Sequence, residues 1–426
     1  MRFIADLHMH SRYSRATSRD MTLENLWKWS QLKGITVLGT GDFTHPQWLN
    51  EIKEKLDNCG NGLFRLKKKY RLNDIPASCS SEMFFMLTAE ISCIYSKNGR
   101  LRKIHSIVLA PDFNAAEKIN SKLSKIGNLS ADGRPILGLD AKELLRIVLE
   151  TSEDVMLIPA HAWTPHFSVF GAASGFDSLE ECFEELTPHV YAIETGLSSD
   201  PQMNWRLSCL DRITLTSHSD AHSPHKIGRE ANILDTDVSY TAITNAMKKR
   251  GGFTGTIEFF PEEGKYHYDG HRICGVSLSP EETIKNNYLC PVCGKKVTIG
   301  VMHRVDKLAD RKNGFKPENP PVFYSVIPLA EIISETLKVG VNSKAVGNEY
   351  FKLLEGLGNE FKILMDCKIE DIESAGSPQV AEAISRMRKG KVSIAPGFDG
   401  EYGKVKIFEE VERKKPKGQA RQARLF

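Results

Sequence analysis

Long apolar runs are missing from this chain. No segment approaches the roughly 18 consecutive apolar residues needed to cross a bilayer, so a membrane-embedded protein is not expected. The N-terminus reaches Asp6 too early for the apolar core of a secretory leader, and a cytoplasmic location is the expectation. A disulfide framework is missing too. Six of the nine cysteines (Cys59, Cys79, Cys93, Cys182, Cys209 and Cys367) are scattered singly, which fits buried thiols in a reducing compartment. Strong charge of one sign is also absent. The formal net charge is +3, but its distribution is uneven: Arg65 to Arg71 form one basic run, and the last sixteen residues carry Arg413, Lys414, Lys415, Lys417, Arg421 and Arg424 against only Glu412. Such patches suit phosphate backbones, although either one alone reads equally well as solvated surface. No internal repeat is visible, and the tail is the one low-complexity segment.

A length of 426 residues exceeds one ordinary core, and 41% hydrophobic with 26% charged residues is globular, so two or three domains are expected. Up to about residue 260, short β-like runs alternate with helix-like stretches, which predicts a parallel α/β architecture. The strand candidates are 3–8, 35–39, 85–92, 103–110, 155–160, 190–195, 213–217 and 253–259. Leu23, Leu26, Trp27 and Gln31 share helical spacing and Gly34 suits a C-cap. Further helices are predicted at 141–149 and 240–250. Residues 306–395 read as mainly helical, with candidates at 329–337, 345–357 and 378–389, and a β-like piece at 404–408.

Polar clusters fall at or near the ends of most strand candidates: Asp6-Leu7-His8-Met9-His10, Gly41-Asp42-Phe43-Thr44-His45, Glu90, His105, His161, Glu194 and His218-Ser219-Asp220-Ala221-His222. In α/β folds functional groups gather where strands meet the following loops. His8 and His10 are two apart on a strand, so both side chains leave one face; His218, Asp220 and His222 repeat the alternation. Imidazoles with carboxylates suit borderline divalent cations, which activate water and clamp the oxygens of a phosphodiester. A lone His-x-His is usually incidental. The combination is not, because ten of the thirteen histidines lie in the first 225 residues, several beside Asp or Glu.

Asp6-Leu7-His8-Met9-His10-Ser11, then Glu90 and His105, then His161, then Asp220-Ala221-His222 resemble, in order, the motifs of the PHP (polymerase and histidinol phosphatase) family over about the first 260 residues. The resemblance implies a distorted seven-stranded (β/α) barrel at 1–262 holding two or three catalytic divalent metals (Zn2+, Mn2+ or Mg2+). His8, His10, Glu90, His105, His161, Asp220 and His222 are the implied ligands. Two positions depart from the family pattern. Arg15 stands where an Asp is common, and Gly41 to His45 replace the usual Thr-Asp-His, so that Asp42 or His45 supplies a ligand from a longer loop. Asp220 is also expected to be catalytic. Glu194 is a candidate ligand or proton-handling group, its competing role being to hold the neighbouring loop.

Cys290-Pro291-Val292-Cys293-Gly294 is a metal-knuckle sequence, and His271 and Cys274, fifteen residues upstream, repeat the pair spacing. A structural Zn2+ on His271, Cys274, Cys290 and Cys293 is predicted within a module at 263–305, with His267 as an alternative to His271. A mainly helical DNA-binding domain at 306–410 and a basic, disordered tail at 411–426 complete the layout.

More specific stretches, at 6–20, 40–46, 159–165, 290–295 and 397–403, are similar to the endonuclease Q branch of that family over essentially the whole chain. That resemblance implies a nucleoid-associated enzyme acting on double-stranded DNA. It nicks 5′ of deaminated bases (uracil, hypoxanthine, xanthine) and of abasic sites after extruding the damaged base. The loop 167–176 is the candidate base pocket, through Ser168, Phe170, Gly171 and Gly175; an ordinary flexible loop is the alternative. Gln419, Leu425 and Phe426 resemble a sliding-clamp-binding peptide, with Gln422 where an aliphatic residue is usual. Two other functions remain open at this stage: a PHP phosphatase on a small phosphorylated metabolite, which needs neither zinc module nor basic tail, and a non-catalytic DNA-binding scaffold, which does not need the ligands intact.

Overall fold

The computed structural model describes residues 1–408; the clamp-peptide residues Gln419, Leu425 and Phe426 lie outside them. Every strand expected in the first 260 residues forms, some shorter than predicted: Arg2–Asp6, Val37–Gly39, Phe84–Lys97, Arg100–Ala110, Met156–Pro159, Ala192–Glu194, Thr214–Thr216 and Phe253–Glu258. The helix Leu23–Lys33 starts where the Thr22 side chain accepts from the Asn25 N–H and stops at Gly34, whose φ of 88° is the left-handed C-cap conformation. The helices Ala141–Thr151 and Tyr240–Lys249 begin the same way, with Asp140 and Ser239 as N-caps.

The sheet is mixed, which corrects the parallel expectation. Arg2–Asp6 and Val37–Gly39 pair in parallel, as do Val37–Gly39 and Phe84–Lys97. Phe84–Lys97 and Arg100–Ala110, however, form one long antiparallel hairpin. Its turn is Asn98-Gly99, at φ 54° and 71°, and two successive positive φ values are what a tight hairpin of this hand requires. A strand not anticipated, Ala231–Asp235, lies between Arg2–Asp6 and Phe253–Glu258, antiparallel to both. Ala192–Glu194 and Thr214–Thr216 pair in parallel as a separate two-stranded sheet. The Ala162 N–H donates to the Glu194 carbonyl (2.9 Å) and the Ser217 N–H to Asn232 Oδ1 (3.0 Å), tying that pair to its neighbours on either side. Side chains on alternate strand positions, among them Ala5 and Leu7, Ile107 and Leu109, and Ile158 and Ala160, pack into one buried cluster.

Downstream, Leu329–Leu337, Lys344–Leu357 and Pro378–Arg388 form as helices. Val322–Ser325, inside the stretch read as helical, is a strand that extends the main sheet in parallel beside Phe253–Glu258. The helical region is fastened to the first half by a buried ion pair. Lys33 Nζ lies 2.9 Å from the Glu360 carboxylate, which also accepts from the Leu329 N–H and from Tyr350 Oη. Removing one partner of such a pair leaves the other charge buried and alone. Lys33→Met is therefore expected to lower unfolding free energy by about 3–5 kcal/mol in urea denaturation; an unchanged midpoint would show that the pair does not fasten the two halves.

Candidate metal centre

Five strands bring the site together: His8, His161 and Asp220 follow the ends of Arg2–Asp6, Met156–Pro159 and Thr214–Thr216, whereas Glu90 and His105, expected at or near strand ends, lie inside the long hairpin strands Phe84–Lys97 and Arg100–Ala110. His8 Nε2 lies 3.6 Å from Glu90 Oε2 and 3.7 Å from Asp220 Oδ1. His10 Nε2 lies 3.3 Å and 3.1 Å from the same two oxygens. The other oxygen of Glu90, Oε1, is 2.7 Å from His105 Nδ1 and 3.1 Å from His161 Nε2. Two ligand-type groups result, His8–His10–Asp220 and Glu90–His105–His161, each with donor atoms within 4.8 Å of one another. Glu90 faces one with each oxygen.

The backbone is unusual at these positions. Asp42, His161 and Asp220 have φ of 50°, 29° and 45°, values that few non-glycine residues adopt and that cluster where a side chain must be aimed against local preference. Behind the ligand atoms, carboxylates orient the rings. His8 Nδ1 is 3.0 Å from Glu194 Oε1, and the second Glu194 oxygen accepts the His161 backbone N–H at 2.5 Å. His10 Nδ1 is 3.1 Å from Asp42 Oδ1, while Asp42 Oδ2 accepts from the Ser11 N–H and hydroxyl and from Ser14 Oγ.

Two observations fit this donor set to cations. His8 Nε2 is buried without a hydrogen-bond partner although it points into a cluster of oxygens. Burial alone would strip the proton from His8, but Glu194, Glu90 and Asp220 outweigh it and hold the ring protonated well above the usual histidine range. His10 behaves likewise: burial opposes the proton, while Asp42, Asp220 and Glu90 retain it. The cluster is thus rich in negative charge, and protons sit where cations would. Cations must displace those protons, so manganese affinity, measured by calorimetry from pH 6 to 8, is expected to tighten as pH rises, with proton release on binding. A pH-independent affinity without proton release would count against these histidines as ligands.

Other predicted residues fall elsewhere. His45 belongs to neither ligand group; its ring stacks on Tyr13 with centroids 4.5 Å apart. His222 sits beside the first group, its ring centroid 4.6 Å from that of His10 and its Nδ1 2.9 Å from the Asp220 carbonyl. Glu194, expected to handle protons, is fully buried with both oxygens engaged. The side chains expected at the base pocket are turned into the loop's interior. Ser168 and Phe170 are fully buried, the first donating to the Thr164 carbonyl and the second packed on Trp163. Gly171 and Gly175 press against each other, because the loop folds back and Arg304 grips the carbonyls of Phe170 and Phe176.

The part of that loop reaching the metal groups is Thr164, His166 and Phe167, which with His105, Arg134, His161 and Asp220 line a cavity of about 330 Å³. The Phe167 ring leans on His105 at 4.6 Å. Arg134 and Phe167 were not singled out from the sequence as site residues; an aromatic six residues after a strand-end His was the available signal for Phe167. A larger cavity of about 480 Å³, lined by Trp205, Arg250, Arg311 and Phe315 among others, lies by the starts of the strands at 214, 253 and 322; the smaller one is the cavity that meets the ligand-type groups. Elsewhere, His271, Cys274, Cys290 and Cys293 converge as a third ligand-type group, with Cys293 Sγ 3.6 Å from His271 Nδ1. His267 is outside it, stacked on Tyr268.

Paired imidazole and carboxylate groups on and just beyond neighbouring strands, open to a cavity, define a metal-dependent phosphoesterase. The fold matches the crystal structure of the lesion-specific endonuclease PfuEndoQ from Pyrococcus furiosus over 97% of this chain and 98% of that one, at 32% identity and a TM-score of 0.84. It matches endonuclease Q in complex with a 27-mer duplex substrate bearing an abasic lesion at the active site at 31% identity and a TM-score of 0.82, over 98% and 99% of the two chains. This chain belongs to the endonuclease Q family. Protein MJ0043 of Methanocaldococcus jannaschii is 35% identical over 253 residues, which are 58% of this chain and 31% of that protein, so this match spans about a third of the relative's length. Residues 328–391 match the family described as the MJ0043 C-terminal domain.

Proposed function

We propose that this protein is a metal-dependent DNA endonuclease that hydrolyses the phosphodiester 5′ of deaminated bases (uracil, hypoxanthine, xanthine) and of abasic sites. The observation that carries the reading is the bridging position of Glu90 between two ligand groups beside a nucleotide-sized cavity, in a chain alike over nearly its full length to a lesion-specific endonuclease. His8, His10, Asp220 and Glu90 would hold one divalent cation, and Glu90, His105 and His161 would hold the other. When bound, the pair lowers the pKa of water and clamps the oxygens on which charge develops. We read the strand arrangement as the distorted PHP barrel, and Cys274, Cys290, Cys293 and His271 as a closed structural zinc site.

The chain's own groups do the rest. Asp42 and Glu194 fix the orientations of His10 and His8 as positioning carboxylates, a role whose loss typically costs 10–100-fold in metal affinity or activity. Glu194→Gln is expected to weaken metal binding in that range with the fold retained; a slow variant with full metal affinity would instead give Glu194 a proton-handling role. Asp220, partly exposed at the cavity, is the carboxylate placed to meet the reacting phosphate. Thr164, His166 and Phe167 receive the extruded base. Deamination turns an exocyclic amino donor into a carbonyl acceptor, so a fixed donor in this pocket accepts the lesion and leaves the normal base with two donors facing each other. Duplexes carrying one uracil, hypoxanthine, xanthine, abasic site or normal base test the reading. Nicks 5′ of the lesions and not at normal bases are expected, fastest where the lesion is mispaired because unstacking costs least there. Equal cutting at intact positions would reduce the protein to a general nuclease.

A further inference from the structure

Of the cavity's lining residues, one is a lysine or arginine: Arg134. Its Nη1 donates to Glu90 Oε2 at 3.0 Å, the oxygen that also faces His8 and His10. Its Nε and Nη2 have no protein hydrogen-bond partner among the described residues. Much of the side chain is enclosed, with 26% exposure, so this is not a cation waving in solvent.

The segment carrying Arg134 is held on both sides. Asp132 Oδ1 accepts from the backbone N–H of Arg134 and of Arg15, and the Arg15 guanidinium pairs with Asp132 Oδ2 at 3.3 Å. Arg15, the departure from the usual PHP pattern, is therefore part of the support for this loop. The Gly133 N–H donates to the Tyr13 carbonyl, and the Pro135 carbonyl accepts from Ser92 on the long hairpin. Gly133 has no room for a side chain: a Cβ there would lie 2.3 Å from Asp42 Oδ2 and from Ser14 Oγ. The loop is thus seated directly on the carboxylate that orients His10.

Charge decides what Arg134 awaits. The centre contains four carboxylates, Asp42, Glu90, Glu194 and Asp220. Two divalent cations offset all four when the histidines bind as neutral ligands. That leaves the Arg134 guanidinium as one uncompensated positive charge in an enclosed site, next to cations that repel it. A phosphodiester carries one negative charge and offers non-bridging oxygens of the geometry a guanidinium fork matches.

We propose that Arg134 is a catalytic residue that grips a non-bridging oxygen of the scissile phosphate through the nitrogens Glu90 leaves unused, stabilising the charge that grows there during cleavage. The proposal rests on the two-cation reading of the centre. It gives the site a hydrogen-bonding contact to the phosphate in addition to the cations, and it locates the scissile phosphate on the Arg134 side of Glu90.

The test uses the full-length protein loaded with manganese, comparing wild type, Arg134→Gln and Arg134→Lys. Inorganic phosphate binding is measured by calorimetry, alongside metal content by elemental analysis. Arg134→Gln is expected to weaken phosphate binding by at least tenfold with metal content unchanged, and Arg134→Lys to fall between. On abasic duplex, the saturating cleavage rate of Arg134→Gln should drop on the order of 10²-fold, as for other lost donors to a developing oxyanion. Sulfur at one non-bridging position of the scissile phosphate should slow wild type more than Arg134→Gln. Unchanged phosphate affinity, a sulfur effect identical in both, or metal loss in Arg134→Gln that accounts for its defect would each overturn the proposal; the last would make Arg134 only a support for Glu90. Failure of wild type to cut any lesion duplex would instead sink the endonuclease reading and leave the phosphate titration to decide Arg134's role.

Discussion

Glu90→Gln is expected to remove both cations of the centre together and to lower cleavage of an abasic duplex on the order of 10³-fold or more. The reason is geometric. One Glu90 oxygen lies 2.7 Å and 3.1 Å from His105 and His161, the other 3.3 Å and 3.6 Å from His10 and His8, so a single carboxylate serves both ligand groups. An amide keeps the shape but replaces one ligating oxygen with an NH2 group, which cannot bind a cation, and it removes the negative charge both cations need. His8→Ala is the contrasting variant. It touches one group and should reduce metal content by about one equivalent rather than two. Elemental analysis of the two variants, with circular dichroism to establish that each folds, separates these outcomes. Two retained equivalents in Glu90→Gln would mean that Glu90 does not bridge.

The second large effect belongs to the cysteine group. The module around it has a core of Leu278, Cys290 and Val297, with Cys274, Val276 and Ile299 packed against it. So small a core offsets little of the entropy of ordering such a segment, and an ion bound by the four ligand-type residues would contribute its binding free energy as folding free energy. The Cys290→Ser, Cys293→Ser double variant is expected to lose one equivalent of zinc. It should expose the module to proteolysis, and raise amide exchange there, while the metal composition of the centre around Glu90 stays the same. A double variant with full zinc content would show that these thiolates hold no metal.

The convergence of these imidazoles and carboxylates was legible in the sequence because strand geometry is periodic. A His-x-His at a strand end sends both rings to one side wherever the strand goes, and Glu90, His105 and His161 stood at the ends or on the faces of runs recognisable by composition. The helices were legible for a similarly local reason: Thr22, Asp140, Ser239 and Gly34 cap their own neighbours. The cysteine group was visible because a knuckle is a short-range turn.

What lay beyond the sequence was decided by contacts between distant segments. The mixed sheet follows from the long hairpin and from Ala231–Asp235, five residues too short for a periodic pattern, whose role exists only between its two partners. The Asn98-Gly99 turn was in principle readable, but the helix-and-strand alternation elsewhere favoured a parallel reading. Phe170 shows why a loop's composition does not reveal its pocket: aromatic and small residues suit a base site and a packed interior equally, and contacts such as the Phe170 N–H on the Ala162 carbonyl and the grip of Arg304, 134 residues away, hold Phe170 inward while Phe167 lines the cavity. Arg134 is the same case from the other side. The sequence by itself determined that imidazoles and carboxylates carried on or just beyond the strands would meet. The tertiary structure alone determined which cation faces them, because Arg134 meets Glu90 across 44 residues through a loop held by Arg15, Ser92 and the space that Gly133 leaves open.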